Sequence, residues 1–242
     1  MSLTFHGTRG YVDASSPSHQ GHSAFTIEED GFRLLCDFGE NRKGMLSSIR
    51  PDAIVVSHGH PDHAWGLAEG TDAPVFASVE THDLLAEFPL ARRMRMSAGV
   101  IKRAGPFRIT LFPVLHSIRC PGSAALLETK HARVLYSGDV VAFPEPEKAF
   151  PGVDLYVGDG STLTRSLVRR LAGGVLVGHT TVRAQLGWLD RFGVGRAIFS
   201  HFGNEPIGMG DEALAESVQK LAGEKAPRCD VSIASDGATF SV

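Results

Sequence analysis

Twelve apolar runs of strand length punctuate the chain, and five of them are followed within four residues by His58, His116, Asp139, His179 and His201. The runs are Leu3–Phe5, Ala24–Ile27, Phe32–Cys36, Ala53–Val56, Pro74–Ala77, Ile109–Phe112, Ala124–Leu127, Arg133–Tyr136, Asp154–Val157, Val175–Val177, Arg196–Phe199 and Val231–Ala234. Their length and β-branched content predict strands, several of them buried on both faces. Helix-like segments intervene at Val79–Glu87, Thr164–Leu171, Val182–Phe192 and Asp211–Ala222. The last opens with acidic residues, as a helix dipole favours. Strands come in pairs early and alternate with helices later, which predicts a mixed sheet or two sheets with helices outside. No low-complexity tract or linker-like shift divides residues 1–242, so a single domain is expected, with Phe143–Pro151 as a surface loop.

The polar residues at the run ends are His58, His60, Asp62 and His63 after Ala53–Val56, then His116, Asp139, His179 and His201. Loops on strand ends are the usual way to gather such side chains from distant sequence into one site. The segment His58-Gly59-His60-Pro61-Asp62-His63 is the strongest local signal. By residue frequency, a chain of this size would hold such a pattern by chance roughly once in a thousand. Gly59 lets the backbone fold so that two imidazoles reach one cation, and Pro61 stiffens the turn. Asp62 and His63 then present an oxygen and a nitrogen to a second position. Imidazole and carboxylate together suit zinc, and also iron or manganese. His116 or His201 alone would read as a core histidine.

Composition excludes several classes. The 24 Lys+Arg against 27 Asp+Glu leave a formal charge of −3, unlike the strongly basic domains that coat nucleic acid. Cys36, Cys120 and Cys229 are odd in number and far apart, which argues against a disulfide framework, and Cys36 reads as a core thiol. No apolar run reaches signal-peptide or membrane-spanning length, so a cytoplasmic protein without membrane contact is expected.

The motif and the order of the later residues resemble the metallo-β-lactamase fold superfamily of binuclear hydrolases, from Leu3–Thr8 to Ala234–Gly237. The resemblance implies an α/β chain folded as a four-layered αβ/βα sandwich, with metals at one edge of two facing sheets. It implies two divalent metal ions per chain, zinc foremost and manganese or iron as alternatives. One would be held by His58, His60 and His116, the other by Asp62, His63 and His201, with Asp139 bridging. His179, in Gly178-His179-Thr180-Thr181-Val182-Arg183-Ala184, resembles the His-x-Thr element of the phosphodiesterase branch. That branch includes ribonuclease Z and the cyclic-phosphate phosphodiesterase of phosphonate breakdown. There the histidine is not a metal ligand but donates to the phosphate and the leaving oxygen. Two departures narrow the substrate. The interval from His116 to Asp139 is filled by Ala124–Leu127 and Arg133–Tyr136, leaving no room for a tRNA-binding arm. Asp13–His22 lacks the clustered cysteines of the phosphonate-pathway enzyme.

The expectation is a binuclear metal-dependent phosphodiesterase that hydrolyses a small or cyclic phosphodiester, a nucleotide or sugar phosphate, by a metal-bound hydroxide. Two cations about 3.5–4 Å apart would share Asp139. Asp62 would orient the nucleophile, and His179 would protonate the departing oxygen. The branch also implies a homodimer. One alternative is the same fold hydrolysing a carbon ester, lactone or β-lactam, against which His179-Thr180 speaks. Another is a binding module without catalysis, against which the complete ligand set speaks. Asp159 reads either as a partner of the site or as a strand-end turn. His19 and His22 read as surface residues, and Arg92-Arg93-Met94-Arg95 as a solvated face. Trp65 is expected to pack beneath the ligand loop.

Overall fold

Runs that are apolar at every position feed two cores at once. In the computed structural model, which describes residues 1–242, the first half of the chain forms six strands. They are β1 (Ser2–Gly7), β2 (Ala24–Glu29), β3 (Phe32–Cys36), β4 (Ala53–Val55), β5 (Thr71–Ser78) and β6 (Leu90–Met96). The second half begins with β7 (Ile101–Ala104), β8 (Phe107–Val114), β9 (Gly122–Glu128), β10 (Arg133–Tyr136) and β11 (Leu155–Asp159). It continues with β12 (Arg169–Arg170), β13 (Leu176–Val177), β14 (Arg196–Ser200), β15 (Asp230–Ile233) and β16 (Thr239–Ser241). The helices are α1 (Leu46–Ile49), α2 (Pro61–Ala64), α3 (Val79–Leu84), α4 (Pro146–Ala149), α5 (Val182–Phe192), α6 (Asn204–Met209) and α7 (Asp211–Lys225).

Two seven-stranded sheets result, ordered β16-β1-β2-β3-β4-β5-β6 and β15-β14-β11-β10-β9-β8-β7. Both follow one plan. An antiparallel meander, β1 to β3 or β7 to β10, is extended by parallel strands. These are β4, β5 and β6 in one sheet and β11, β14 and β15 in the other. Between the sheets, Phe5, Phe25, Leu34, Val55 and Phe76 share a core with Leu111, Leu127, Val134, Val157 and Ile198. Outside the first sheet, Leu35, Ile54, Val56 and Val75 pack with Ile49, Leu67 and Leu85 from the helical layer. Outside the second, Leu135, Tyr156 and Phe199 pack with Leu186, Leu189, Leu214 and Val218 from α5 and α7. Leu34 and Leu35, like Val134 and Leu135, face opposite sides because strand side chains alternate. Burying each such side chain contributes about 1.5–3 kcal/mol. Three cores separate four layers, the αβ/βα order the resemblance implies.

The parallel strands matter for function. Their carboxyl ends share one edge of each sheet, the edge where open α/β sheets place ligands. The loops after β3, β4, β10, β11 and β14 therefore start from common ground. Helix α5 is fixed beside them: the Thr181 side chain accepts from the Ala184 amide at its start, and Gly193 at φ 70° closes its end. This holds His179 two residues ahead of the cap, Thr181.

Several expectations need correction. Thr164–Leu171 is not a helix; it is an exposed segment that ends in the short strand β12. A helix there would have had no apolar face to bury, and packing supplies most helical stability. Arg92-Arg93-Met94-Arg95 belongs to the edge strand β6, where charge blunts further pairing. Arg92 and Arg95 are exposed, but Arg93 donates to the carbonyls of His82, Leu85, Ala86 and Phe88 at 2.7–3.3 Å. Trp65 does not pack beneath the ligand loop. It is 42% exposed, because the turn after α2 directs Gly66 and Leu67 inward; a side chain on Gly66 would strike Phe38. Cys36 is buried in the inter-sheet core as expected, and all three cysteines are free thiols.

Candidate metal centre

Strand β4 ends at Val55, and after Val56 and Ser57 the chain turns into α2, with Pro61 in its first turn and His60 as the residue before it. Pro suits that position because the first helical amide needs no partner. Gly59 has no unusual φ, and the space beside it is tight. A Cβ there would lie 3.0 Å from the Leu84 side chain. The strand thus delivers His58, His60, Asp62 and His63 to one rim within a single turn.

Each buried imidazole is oriented through its Nδ1. His58 donates to Ser57 Oγ at 3.0 Å, His63 to Asp37 Oδ2 at 2.6 Å, His116 to the Gly178 carbonyl at 3.0 Å and His201 to Ser161 Oγ at 2.9 Å. Such outer bonds fix the tautomer and leave Nε2 as the free ligand atom. The Nε2 atoms of His58 and His116 lie 2.9 and 3.1 Å from His60 Nδ1. Asp139 Oδ2 stands 3.6 and 3.5 Å from the same two Nε2 atoms. On the other side, Asp62 Oδ2 is 3.1 Å from His201 Nε2 and 3.6 Å from His63 Nε2. Asp139 Oδ1 is 3.0 Å from His63 Nε2. Tetrahedral ligands bonded at 2.0–2.1 Å would sit about 3.3 Å apart, so both groups have the spacing of a coordination shell. Asp139 offers one oxygen to each.

The polar bookkeeping supports the same reading. His63 Nε2 and Asp139 Oδ1 are buried and make no hydrogen bond, although they face each other. Buried polar atoms are almost always satisfied, and a divalent cation between them would satisfy both. Burial lowers the His58 pKa well below its usual value, favouring the neutral ring that ligates. Burial would also lower His63, but the carboxylates of Asp139, Asp62 and Asp37 outweigh it and raise that ring well above its usual value. Asp139 is desolvated too, yet His201, His63 and His179 hold it well below the carboxylate range. The carboxylates are therefore ionised and ready to bind a cation.

Two backbone positions carry strain for this geometry. His201 and Asp37 adopt φ 61° and 55°, the left-handed region that costs non-glycine residues about 1–2 kcal/mol. Gly10 lies against the His201 ring, where a Cβ would approach within 3.0 Å.

His179 lies beside both groups, its ligand atom within 4.8 Å of those of Asp139, Asp159 and His201. Its Nδ1 donates to Asp159 Oδ2 at 2.8 Å and lies 4.0 Å from Asp139 Oδ2. Its Nε2 has no partner in the chain, and the ring lines a cleft of about 510 Å³ that also exposes His60, Asp62, His116, Asp139 and His201. Desolvation opposes its charge, but Asp159 and Asp139 raise its pKa. Asp159 is a buried hub: it also accepts from the amides of Val140 at 3.2 Å and Ser161 at 2.9 Å, and from Ser161 Oγ at 2.5 Å.

All eight residues singled out at the run ends meet here, and Asp159 joins them as a partner, not as a mere turn. His19 and His22 do not join, nor are they on the surface as expected; both are buried. His19 donates to Thr8 Oγ1 at 2.8 Å and packs on Phe202, tying the amino-terminal loop to the core. Asp37 was not singled out, although it is a fully buried carboxylate on which four donors converge beside the centre. It accepts from Ser57 N, Ser57 Oγ, His63 Nδ1 and Tyr136 Oη at 2.6–2.7 Å. Its signal was a lone aspartate directly after Phe32–Cys36, the same strand-end placement as Asp139. Ser161, which links Asp159 to His201, carried no signal of its own.

Residues 33–202 match the family described as beta-lactamase superfamily domain, most of the chain, and the chain belongs to that family. A metal-dependent hydrolase of Pyrobaculum aerophilum is 31% identical over 140 residues, covering 52% of this chain and 62% of the relative. The chain thus spans about three-fifths of the length of the first curated relatives it matches. Among solved structures, the metallo-beta-lactamase fold protein YhfI of Bacillus subtilis superposes with a TM-score of 0.74 at 17% identity, covering 99% of this chain and 98% of that one. A diphosphatase from the PhnP family gives 0.70 at 15% identity, with 100% and 97% covered. At these identities the likeness is one of fold, and the fold is the four-layered metallo-β-lactamase sandwich.

Proposed function

We propose that the protein is a metal-dependent hydrolase that cleaves a small or cyclic phosphodiester and holds two divalent cations, zinc foremost. His58, His60 and His116 would hold one, Asp62, His63 and His201 the other, and Asp139 would bridge. Cations so placed lower the pKa of water and neutralise charge on a phosphoryl oxygen. The observation that carries the phosphodiester reading is the Asp159–His179 pair, which leaves an imidazole Nε2 facing the cleft beside the ligand cluster.

The residues divide the work. Asp62 orients the attacking water besides ligating. As the water oxygen forms the new P–O bond and gives up a proton to solvent, the bond to the leaving oxygen breaks and that oxygen takes the proton from His179 Nε2, which solvent then restores. Asp159 stabilises the charged ring before transfer and fixes the tautomer afterwards, a pairing typical of general-acid histidines.

A panel on metal-defined protein tests the reading: cyclic mononucleotides, bis(4-nitrophenyl) phosphate, an acyl lactone and a chromogenic cephalosporin. Turnover of phosphodiesters alone is expected. Turnover of the lactone or cephalosporin with inert phosphodiesters would replace this reading with the carbon-ester one.

A further inference from the structure

Between β11 and α5 the chain leaves the second sheet and forms a small hairpin in which Arg169 pairs with Val177 and Arg170 with Leu176. Residues 161–178 contain Arg165, Arg169 and Arg170 and no aspartate or glutamate. Gly178 closes the excursion at φ +106°, and a Cβ there would lie 2.3 Å from the Leu167 carbonyl oxygen. Only glycine lets the segment lie this close to the strand that leads into His179.

A cavity of about 610 Å³ opens against this segment and shares His60, His116 and His179 with the metal centre. Its other polar walls are Ser117, Arg165, Ser166 and Arg169, and no carboxylate lines it. The neighbouring cleft, which Arg165 also borders, includes Asp62, Asp139 and Glu205, whereas Arg169 faces only the cavity without carboxylates. Both arginines are exposed. At Arg165 only the backbone carbonyl is engaged, accepting from Thr162 Oγ1; neither guanidinium has an ion-pair or hydrogen-bond partner in the chain. Unpaired guanidinium forks on a wall without carboxylates match a phosphate group, which they can bind bidentately.

We propose that this cavity is a subsite for a second phosphate of the substrate, held by Arg165 and Arg169 on the His60–His116 side of the metal centre. The inference rests on the phosphodiesterase reading and narrows it. The substrate class is a phosphodiester that carries a further phosphate, as a nucleoside bisphosphate ester or an oligonucleotide end does. The hairpin has no counterpart in the catalytic roles given above; its task is to select substrates by charge.

Equilibrium binding to the full chain tests this without turnover. Thymidine 3′,5′-bisphosphate should bind about tenfold tighter than thymidine 5′-monophosphate, and the Arg165→Gln/Arg169→Gln variant should lose that preference while its affinity for the monophosphate is unchanged. Equal affinities in the unaltered protein, or a preference that survives in the variant, would overturn the subsite. A 5′-phosphorylated dinucleotide distinguishes the sources: a gain that depends on the same arginines points to oligonucleotide ends, and a gain confined to the mononucleotide points to small bisphosphates. Hydrolysis of thymidine 5′-(4-nitrophenyl phosphate), with and without a 3′-phosphate, separates the two claims. If the preference in binding holds but neither ester is cleaved, the phosphodiesterase reading fails and the subsite stands. If both are cleaved with equal KM and no preference in binding, the subsite fails alone.

Discussion

His179 Nδ1 and Asp159 Oδ2 lie 2.8 Å apart across the carboxyl ends of two neighbouring segments, one leading into α5 and the other closing β11. That bond aims the remaining ring nitrogen at the cleft without committing it to a cation. His179→Ala should therefore keep its metal content and fold while losing about 10²–10⁴ in rate if the ring is the general acid. The loss should be far larger for an alkyl phosphodiester than for a nitrophenyl one, whose leaving group needs no proton. Equal losses on both would reduce His179 to a stabiliser of phosphate charge. No loss on either would make it a structural residue.

Asp139 offers an oxygen to each group of candidate ligands. Asp139→Ala should lower metal content and turnover together, measured by elemental analysis and initial rates on the same preparation. A variant with two metals per chain and full activity would refute the bridging role.

Asp37 touches no candidate ligand atom that faces a cation, yet four donors converge on it. Asp37→Asn removes the charge that orients His63, and loss of such an outer partner typically costs 10–100-fold in metal affinity. Competition with a chromophoric chelator would measure it. Unchanged affinity would leave Asp37 a purely structural carboxylate.

His82 gives a prediction on stability. The ring is buried, donates Nε2–H to the Val75 carbonyl at 3.1 Å, and has its pKa lowered by burial and by Arg93, from 6.5 to about 4. The unfolded chain takes up the proton first as pH falls, so this contribution is complete above the unfolded value and is lost between it and the folded one. Urea midpoints of the metal-free protein should fall across that window. In His82→Gln they should fall less steeply, and an identical slope would contradict the assignment.

Much of this site was legible because its ligands are either adjacent, as in His58–His63, or attached to apolar runs whose ends are easy to read. His116, Asp139 and His201 each follow such a run, so strand geometry brings them together without any long-range information. The strand-end placement of Asp37 was legible, but its role was not. Its partners Ser57, His63 and Tyr136 are 20, 26 and 99 residues away, and only sheet order makes them neighbours. The burial of His19 likewise depends on Phe202, far along the chain. Thr164–Leu171 misled for the opposite reason: its spacing allows a helix, but no core lies beneath it. Strand β6 was hidden by its own arginines, which an edge strand tolerates and a central one would not.

The central claim is that two cations in this cluster drive phosphodiester hydrolysis. The direct measurement is a titration of chelator-treated protein with zinc or manganese while hydrolysis of bis(4-nitrophenyl) phosphate is followed. Activity should rise from background and level off at two equivalents per chain. A plateau reached at one equivalent, or no phosphodiester turnover at any loading of either metal, would contradict it.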